Sequence, residues 1–327
     1  MTAAHFQQIV ETLPPGNDSQ WGEHAVWRWR GLCCHWRFLG KPKHLPLLLL
    51  HGFGTSSAHW RHNATAFVNA GYQVYALDLV GFGQSDQPGL RRQRLNNYIW
   101  SKQVAAFLEQ VVRVNERGPA ILIGNSLGAL IALTTATLHR RLVAGVVAAP
   151  LPDPVLARAA IPYGKLSCLR WSNKATAVLC RILPLEILLP LITNTPLILV
   201  ALQAAYHRPI NSDRELQQLI KRPAQRHTAP SALRAMCVGM ALRPQRSTAP
   251  ALLQRLGSIG QRPPFLLLWG RQDRFVPLRL GINLQQEHPW LQLAVLDNCG
   301  HCPHDEVPDS FQAVVMDWLE RNLRNSK

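Results

Sequence analysis

Six apolar runs, each five to eight residues long and closed by turn residues, restrict the folds open to this chain more than any other feature. They fall at residues 45–50, 73–79, 120–124, 142–149, 265–269 and 291–296. Near-continuous apolarity, rather than strict alternation, is what a strand shows when helices cover both faces of its sheet. Longer helix-like stretches separate the runs, at 97–113, 127–138, 278–288 and 309–323. Such alternation of strand and helix predicts a mostly parallel, doubly wound α/β sheet. Two earlier segments, around 25–30 and 34–39, read as an antiparallel lead-in to it.

The alternation breaks between Leu151 and Pro264. A β-α-β crossover needs only about 30 residues, so a stretch of this length, rich in Pro and Leu and without a strand pattern, predicts an inserted helical cap over 152–246. The core domain is then 25–151 together with 247–327. Within the cap, Ile187 to Tyr206 carries no charged side chain. That length could cross a bilayer, but Pro190, Asn194 and Pro196 interrupt it, and two short buried or interfacial helices are expected instead.

Chemistry enters at Gly124-Asn125-Ser126-Leu127-Gly128, which follows an apolar strand and opens an apolar helix. A serine on so sharp a turn needs very small neighbours two residues to either side, because larger side chains would collide with the strained backbone. This is the arrangement of a nucleophile elbow. A developing oxyanion needs two converging backbone N–H groups. Leu127, at the start of the helix, is expected to supply one. Phe53 is expected to supply the other, from the turn His51-Gly52-Phe53-Gly54 after the run 45–50.

Serine at its ordinary pKa is a weak nucleophile and requires a base, which in turn requires an orienting carboxylate. Asp273 follows the strand at 265–269 and His301 follows the last strand, so Ser126, Asp273 and His301 run in the chain order expected on such a sheet. Both lie beyond the C-terminal ends of strands, where open α/β sheets assemble sites. His304 is a weaker candidate for the base, and Asp153 for the acid. Asp305 and Glu306 read as charges at the start of the final helix. The histidines and carboxylates lack metal-ligand spacing, so neither a metal nor another cofactor is expected. Cys299-Gly300-His301-Cys302 spells a disulfide-isomerase signature, yet too little chain follows it to build a thioredoxin-like domain.

These residues resemble the α/β-hydrolase superfamily. The resemblance rests on the strand with His51-Gly52-Phe53-Gly54, on Asp78 to Asp86, on the elbow, and on the turns at Asp273 and His301. More narrowly, Trp27-Arg28-Trp29-Arg30-Gly31, the elbow and the stretch from Gly300 to Pro308 are similar to cyanobacterial and plastid hydrolases related to pheophytinase, which remove the phytol ester from chlorophyll breakdown products. The resemblance implies the α/β-hydrolase fold and a serine hydrolase acting on a carboxylic ester with a bulky apolar group. Ala129 stands where many such elbows have a second glycine, and the resemblance does not extend to the cap, which would line the acyl and alcohol pockets. Carbon–carbon hydrolases of ring-cleavage products share the elbow and triad and are the alternative, and a non-catalytic binding protein on the same scaffold is a third. Serine at the elbow argues against the branches that place aspartate there.

The chain carries a net charge of +16, concentrated between Leu151 and Pro264, where 15 Lys and Arg face 4 Asp and Glu. Peripheral contact of the basic cap with anionic membrane is therefore an expectation. No nucleic-acid motif accompanies the charge, so nucleic acid is not an expected partner. Seven cysteines without framework spacing, and no apolar core after a basic run near Met1, predict a cytoplasmic protein. Oligomeric state stays open.

Overall fold

The computed structural model describes residues 10–12, 21–153 and 166–324. Strands β1 (Val10–Thr12), β2 (Glu23–Trp29), β3 (Leu32–Leu39), β4 (Leu45–Leu50), β5 (Tyr72–Leu77), β6 (Ala120–Gly124), β7 (Val143–Ala148), β8 (Phe265–Gly270) and β9 (Gln292–Leu296) form one sheet. Its order is β1-β2-β3-β5-β4-β6-β7-β8-β9. The first three strands form antiparallel pairs, β3 pairs antiparallel with β5, and every later pair is parallel. All six apolar runs are strands, and the two lead-in segments are the β2–β3 hairpin, turned by Arg30 and Gly31 at positive φ. Only β1, pairing Val10 with Trp27, had no counterpart in the sequence pattern.

Alternate residues of each strand feed two separate cores. Leu48, Leu50, Leu77, Leu122, Val146 and Trp269 point to one face, while Leu47, Leu49, Val74, Ile123, Val147 and Leu268 point to the other. Helices α1 (Ala64–Asn69), α2 (Asn97–Phe107) and α3 (Leu127–Leu138) connect the first strands of the parallel part. Between β7 and β8 the described chain forms α4 (Leu166–Ile182), α5 (Leu185–Thr193), α6 (Leu197–Gln203), α7 (Arg214–Ala224), α8 (Ala229–Ala241) and α9 (Ala249–Gly257). After β8 come α10 (Leu278–Glu287) and α11 (Pro308–Leu319), the latter preceded by a single helical turn at Pro303–Glu306. Trp100 of α2, Leu252 of α9 and Leu280 of α10 pack on the first face, and Phe67 of α1 and Phe311 and Trp318 of α11 on the second.

The helix expected over 97–113 runs regularly only to Phe107. A wider π turn follows at Leu108–Val112, and Arg113 in the left-handed region (φ 62°) then stops it. Asn96 caps its start by accepting the Ile99 N–H at 3.0 Å. The uncharged stretch 187–206 is indeed broken into two helices, α5 and α6, at Asn194–Pro196. No single helix among the described residues is long and apolar enough to cross a membrane. The order of strands reverses at β4, with β5 on one side and β6 on the other. Ligands of open α/β sheets bind at such a switch point, beyond the carboxyl ends of the strands, and the elbow after β6 and the turn after β4 meet there.

Candidate active site

Ser126 sits at φ 52°, ψ −116°, a conformation that side chains rarely adopt, between the end of β6 and the start of α3. Both flanking glycines are forced by contact distances. A Cβ on Gly124 would lie 2.4 Å from the Gly128 carbonyl carbon, and one on Gly128 would lie 2.1 Å from the Leu50 carbonyl oxygen. The tight packing of β4, β6 and α3 therefore requires glycine at both positions, and it lifts the serine hydroxyl above the sheet.

The structure brings the three sequence-predicted residues into one chain of hydrogen bonds. His301 Nε2 lies 2.8 Å from Ser126 Oγ, and His301 Nδ1 lies 2.9 Å from Asp273 Oδ2. A carboxylate only accepts, so the proton sits on Nδ1 and Nε2 keeps a lone pair for the Ser126 hydroxyl. Asp273 is itself fixed: its Oδ1 accepts the N–H groups of Phe275 at 2.8 Å and Val276 at 2.9 Å. The Phe275 ring, itself exposed, stands edge-on to the buried imidazole, 5.5 Å between centroids.

The turn after β4 is held by His51. Burial lowers the pKa of this histidine and keeps it neutral. Its Nδ1–H donates to the Gly52 carbonyl at 2.8 Å, while its Nε2 accepts the Leu79 N–H at 3.1 Å. Thr55 Oγ1 donates to the same carbonyl at 3.0 Å. Because C=O and N–H of a trans peptide point in opposite directions, clamping the Gly52 carbonyl aims the Phe53 N–H the other way. A Cβ on Gly52 would be 3.6 Å from the Ser126 Cβ, which places this turn against the serine. Neither the Phe53 nor the Leu127 N–H takes part in a hydrogen bond among the described residues.

Several positioning groups escaped the sequence reading. Asn125, buried beside the serine, donates from Nδ2 to the carbonyls of Ala149 at 2.6 Å and His301 at 3.0 Å, tying the elbow to the histidine loop. Asp305 and Glu306 do not serve as charges for the last helix. Glu306 accepts the N–H groups of Gly300 (2.7 Å), His207 (2.7 Å) and Arg208 (3.2 Å), and the His301 N–H donates to the Ala205 carbonyl at 2.8 Å. The segment 205–208, from the inserted helices, is thereby fastened to the histidine loop. Asp305 accepts from Tyr206 Oη at 2.9 Å and from Arg61 Nε at 3.1 Å, and Arg61 reaches on to Asp213 and Glu215. The sole local hint was the acidic pair in His304-Asp305-Glu306, whose partners are distant in sequence.

The other candidates lie elsewhere. Asp153 pairs with Arg243 at 2.8 Å and accepts the Ala249 N–H at 2.7 Å, away from His301. His304 is buried beside Trp60, its Nε2 3.2 Å from His59 Nδ1, and burial holds its pKa well below the usual value. Cys299 and Cys302 are free thiols. Burial pushes Cys299 up to about 12 and Cys302 well above its ordinary value, the reverse of a reactive redox pair. Among the described residues no group of three or more His, Cys, Asp or Glu is placed to hold a metal ion.

A cavity of about 100 Å³ adjoins the turn after β4, walled by Phe53, Phe82, Leu189, Leu233 and Met236. A larger one, about 620 Å³, opens between α7 and the loop after β5, beside Asp78, Arg214 and Arg226, and none of the three site residues lines it. Ser126, Asp273 and His301 line neither cavity, and the apolar one borders the turn Phe53–Thr55 after β4.

A nine-stranded α/β sheet with a nucleophile-elbow turn at its switch point defines a hydrolase scaffold. The sequence agrees: the chain belongs to the alpha/beta hydrolase family, which matches residues 47–314. Among its relatives is a 2-hydroxy-6-oxononadienedioate/2-hydroxy-6-oxononatrienedioate hydrolase of Pseudomonas sp, 26% identical over 289 residues that cover 84% of this chain and 88% of the relative. The chloroplastic pheophytinase of Arabidopsis thaliana is 25% identical over 310 residues, covering 84% of this chain and 61% of that protein. Among solved structures, a thermophilic esterase from Thermogutta terrifontis superposes with a TM-score of 0.65 at 20% identity, covering 90% of this chain and 96% of that one. The fold and relatives make this protein a member of a family of hydrolases.

Proposed function

We propose that the protein is a serine hydrolase that cleaves a carboxylic ester bearing a bulky apolar group, through an acyl-enzyme on Ser126. The observation that carries the reading is the unbroken hydrogen-bonded line from Ser126 Oγ through His301 to Asp273. Its geometry is that of a nucleophile, its base and the group that orients the base.

In this mechanism Ser126 Oγ attacks the ester carbonyl as its proton passes to His301 Nε2. The tetrahedral oxyanion is received by the Phe53 and Leu127 N–H groups, the latter at the positive end of α3. As the intermediate collapses, the C–O bond to the alcohol breaks and His301 returns its proton to the leaving alkoxide. Water then enters, gives a proton to His301, and attacks the acyl carbon. Collapse of this second intermediate frees the acid and restores the Ser126 hydroxyl. Asp273 keeps the imidazole in the required tautomer and stabilises the imidazolium in both halves. The apolar walls of the cavity beside Phe53 favour an apolar acyl or alcohol group over a charged one.

A second reading is supported by the relative that cleaves 2-hydroxy-6-oxononadienedioate: hydrolysis of a carbon–carbon bond by the same residues. One panel separates the two. Purified protein is assayed with short nitrophenyl esters, long-chain esters, a phytyl ester and a ring-cleavage dienoate. The proposal expects turnover of esters that rises with the apolar bulk of one arm. Turnover of the dienoate alone would transfer the assignment to carbon–carbon cleavage, and turnover of none would sink both.

A further inference from the structure

Eight of the fourteen large apolar side chains that stand exposed among the described residues lie between Val178 and Val200. Isolated exposed apolar residues are ordinary, whereas a contiguous group marks a surface that something covers. Here the group spans the end of α4, all of α5 and the start of α6. Ile182 is 71% exposed, Ile187 68%, Leu191 55% and Val200 67%. The two breaks are short, Leu183–Pro184 and Asn194–Pro196, so the exposed residues belong to one continuous stretch of chain.

The shape of this stretch limits what can cover it. Residues 173–182 of α4 and Leu185–Thr193 of α5 together have the length and apolarity of a membrane segment, but they meet at 83°. At about 1.5 Å per residue, each arm is roughly half as long as the hydrocarbon core is thick. A bent pair of that size suits an interfacial elbow, lying in the headgroup region with its apolar side in the acyl chains. Charge points the same way. The region from Leu151 to Pro264 holds 15 Lys and Arg against 4 Asp and Glu, and Lys174, Arg181, Lys221 and Arg222 belong to α4 and α7 themselves. A second copy of the chain would bring like charge against like charge, whereas anionic headgroups would satisfy both the charge and the apolar face. The face is also continuous with the cavity at the site: α5 turns Leu189 into the cavity wall beside Phe53 while Ile187 and Leu191 stand outward.

We propose that the α4–α6 face docks on a lipid leaflet containing anionic lipid, and that the substrate reaches the Phe53 cavity from that leaflet along α5. The docking stands on the surface alone, and the delivery of substrate rests on the reading of Ser126 as nucleophile.

Docking is tested by cosedimentation of the full chain with vesicles of equal parts phosphatidylcholine and phosphatidylglycerol, against vesicles of phosphatidylcholine only. The Ser126→Ala protein is run alongside wild type, so that failure to bind and failure to hydrolyse are read separately. Binding should favour the anionic vesicles and weaken as salt rises, since a Debye length of about 10 Å at 0.1 M shrinks further. Ile187→Asp and Val200→Asp, each at a solvent-facing position, should lower the partition coefficient by about tenfold or more, because the side chain can no longer enter the acyl boundary. Their rate on a short soluble ester should match wild type, while the rate on a long-chain ester carried in vesicles should fall with binding. Protein that remains in the supernatant at low salt overturns the proposal. A solution dimer that the same substitutions dissociate overturns it as well, since a second copy would then be what covers the face.

Discussion

The bond between Glu306 and three backbone N–H groups ties the histidine loop to the inserted helices, and its removal has a calculable effect. In Glu306→Gln the amide offers one oxygen where the carboxylate offers two. Its NH2 then faces either the Gly300 N–H or the pair from His207 and Arg208, all within 3.2 Å of the carboxylate in wild type. Each lost bond to a charged group costs about 1.5–3 kcal/mol, and some of that is offset because a buried charge has gone. A net loss of about 3 kcal/mol is expected. With an unfolding entropy of about 2.1 cal/mol/K per residue, or about 0.7 kcal/mol/K for the chain, this lowers Tm by about 4 °C. Burial raises the pKa of Glu306 above the usual carboxylate value, outweighing its N–H bonds. Lowering the pH protonates wild type at this position, and because the raised pKa means that the folded chain holds that proton more tightly than the unfolded one, wild type gains stability relative to Glu306→Gln as pH falls, so the gap between the two proteins should widen in acid. Because the His301 N–H bonds to Ala205 in the segment that Glu306 holds, turnover of a short ester should fall by about tenfold or more. Thermal melts at neutral and acid pH and ester kinetics measure both effects, with the exposed Asp309→Asn as control. Equal Tm and equal turnover in Glu306→Gln would refute the account of this tie.

Three further outcomes follow from the same contacts. Gly128→Ala drives a Cβ to 2.1 Å from the Leu50 carbonyl, so α3 must shift; stability should drop by about 3 kcal/mol and esterase activity collapse, measured by urea unfolding and a nitrophenyl ester. Burial alone would push Asp305 up, but the hydrogen bond and charge of His59 and the Arg61 guanidinium hold it well below the carboxylate range. Its contribution to stability is thus present above about pH 4 and lost as pH falls towards the depressed folded value, so Asp305→Asn should be less stable at neutral pH and flatten the acid limb of a urea-midpoint against pH curve. Iodoacetamide at neutral pH should leave activity intact, because Cys299 and Cys302 are buried with raised pKa values; rapid inactivation that Cys299→Ser abolishes would contradict this.

What the sequence reveals here follows from what is local. Apolar runs mark strands because both faces of a parallel strand are buried, and Gly124 and Gly128 mark the elbow because their contacts lie a few residues away or on the adjacent strand. Ser126, Asp273 and His301 could be named because each follows a strand end, and the folded chain brings all three together. The supporting contacts were invisible for the opposite reason. Asn125 bonds to His301 across 176 positions, and Glu306 to His207 across 99, and nothing in the local pattern encodes such a pairing. The strand Val10–Thr12 went unseen because three residues carry no periodicity. Among the inserted helices, burial gives no face to read: the apolar residues of α5 look both inward to the cavity and outward to solvent.

The assignment of Ser126 as nucleophile is tested most directly by intact-protein mass spectrometry after treatment with a fluorophosphonate. Wild type should gain the mass of one adduct, mapped to Ser126. His301→Ala should react far more slowly, since the hydroxyl has lost its base, and Ser126→Ala should gain nothing and lose turnover by about 10⁴-fold or more. An adduct of the same stoichiometry and rate on Ser126→Ala would contradict the central claim.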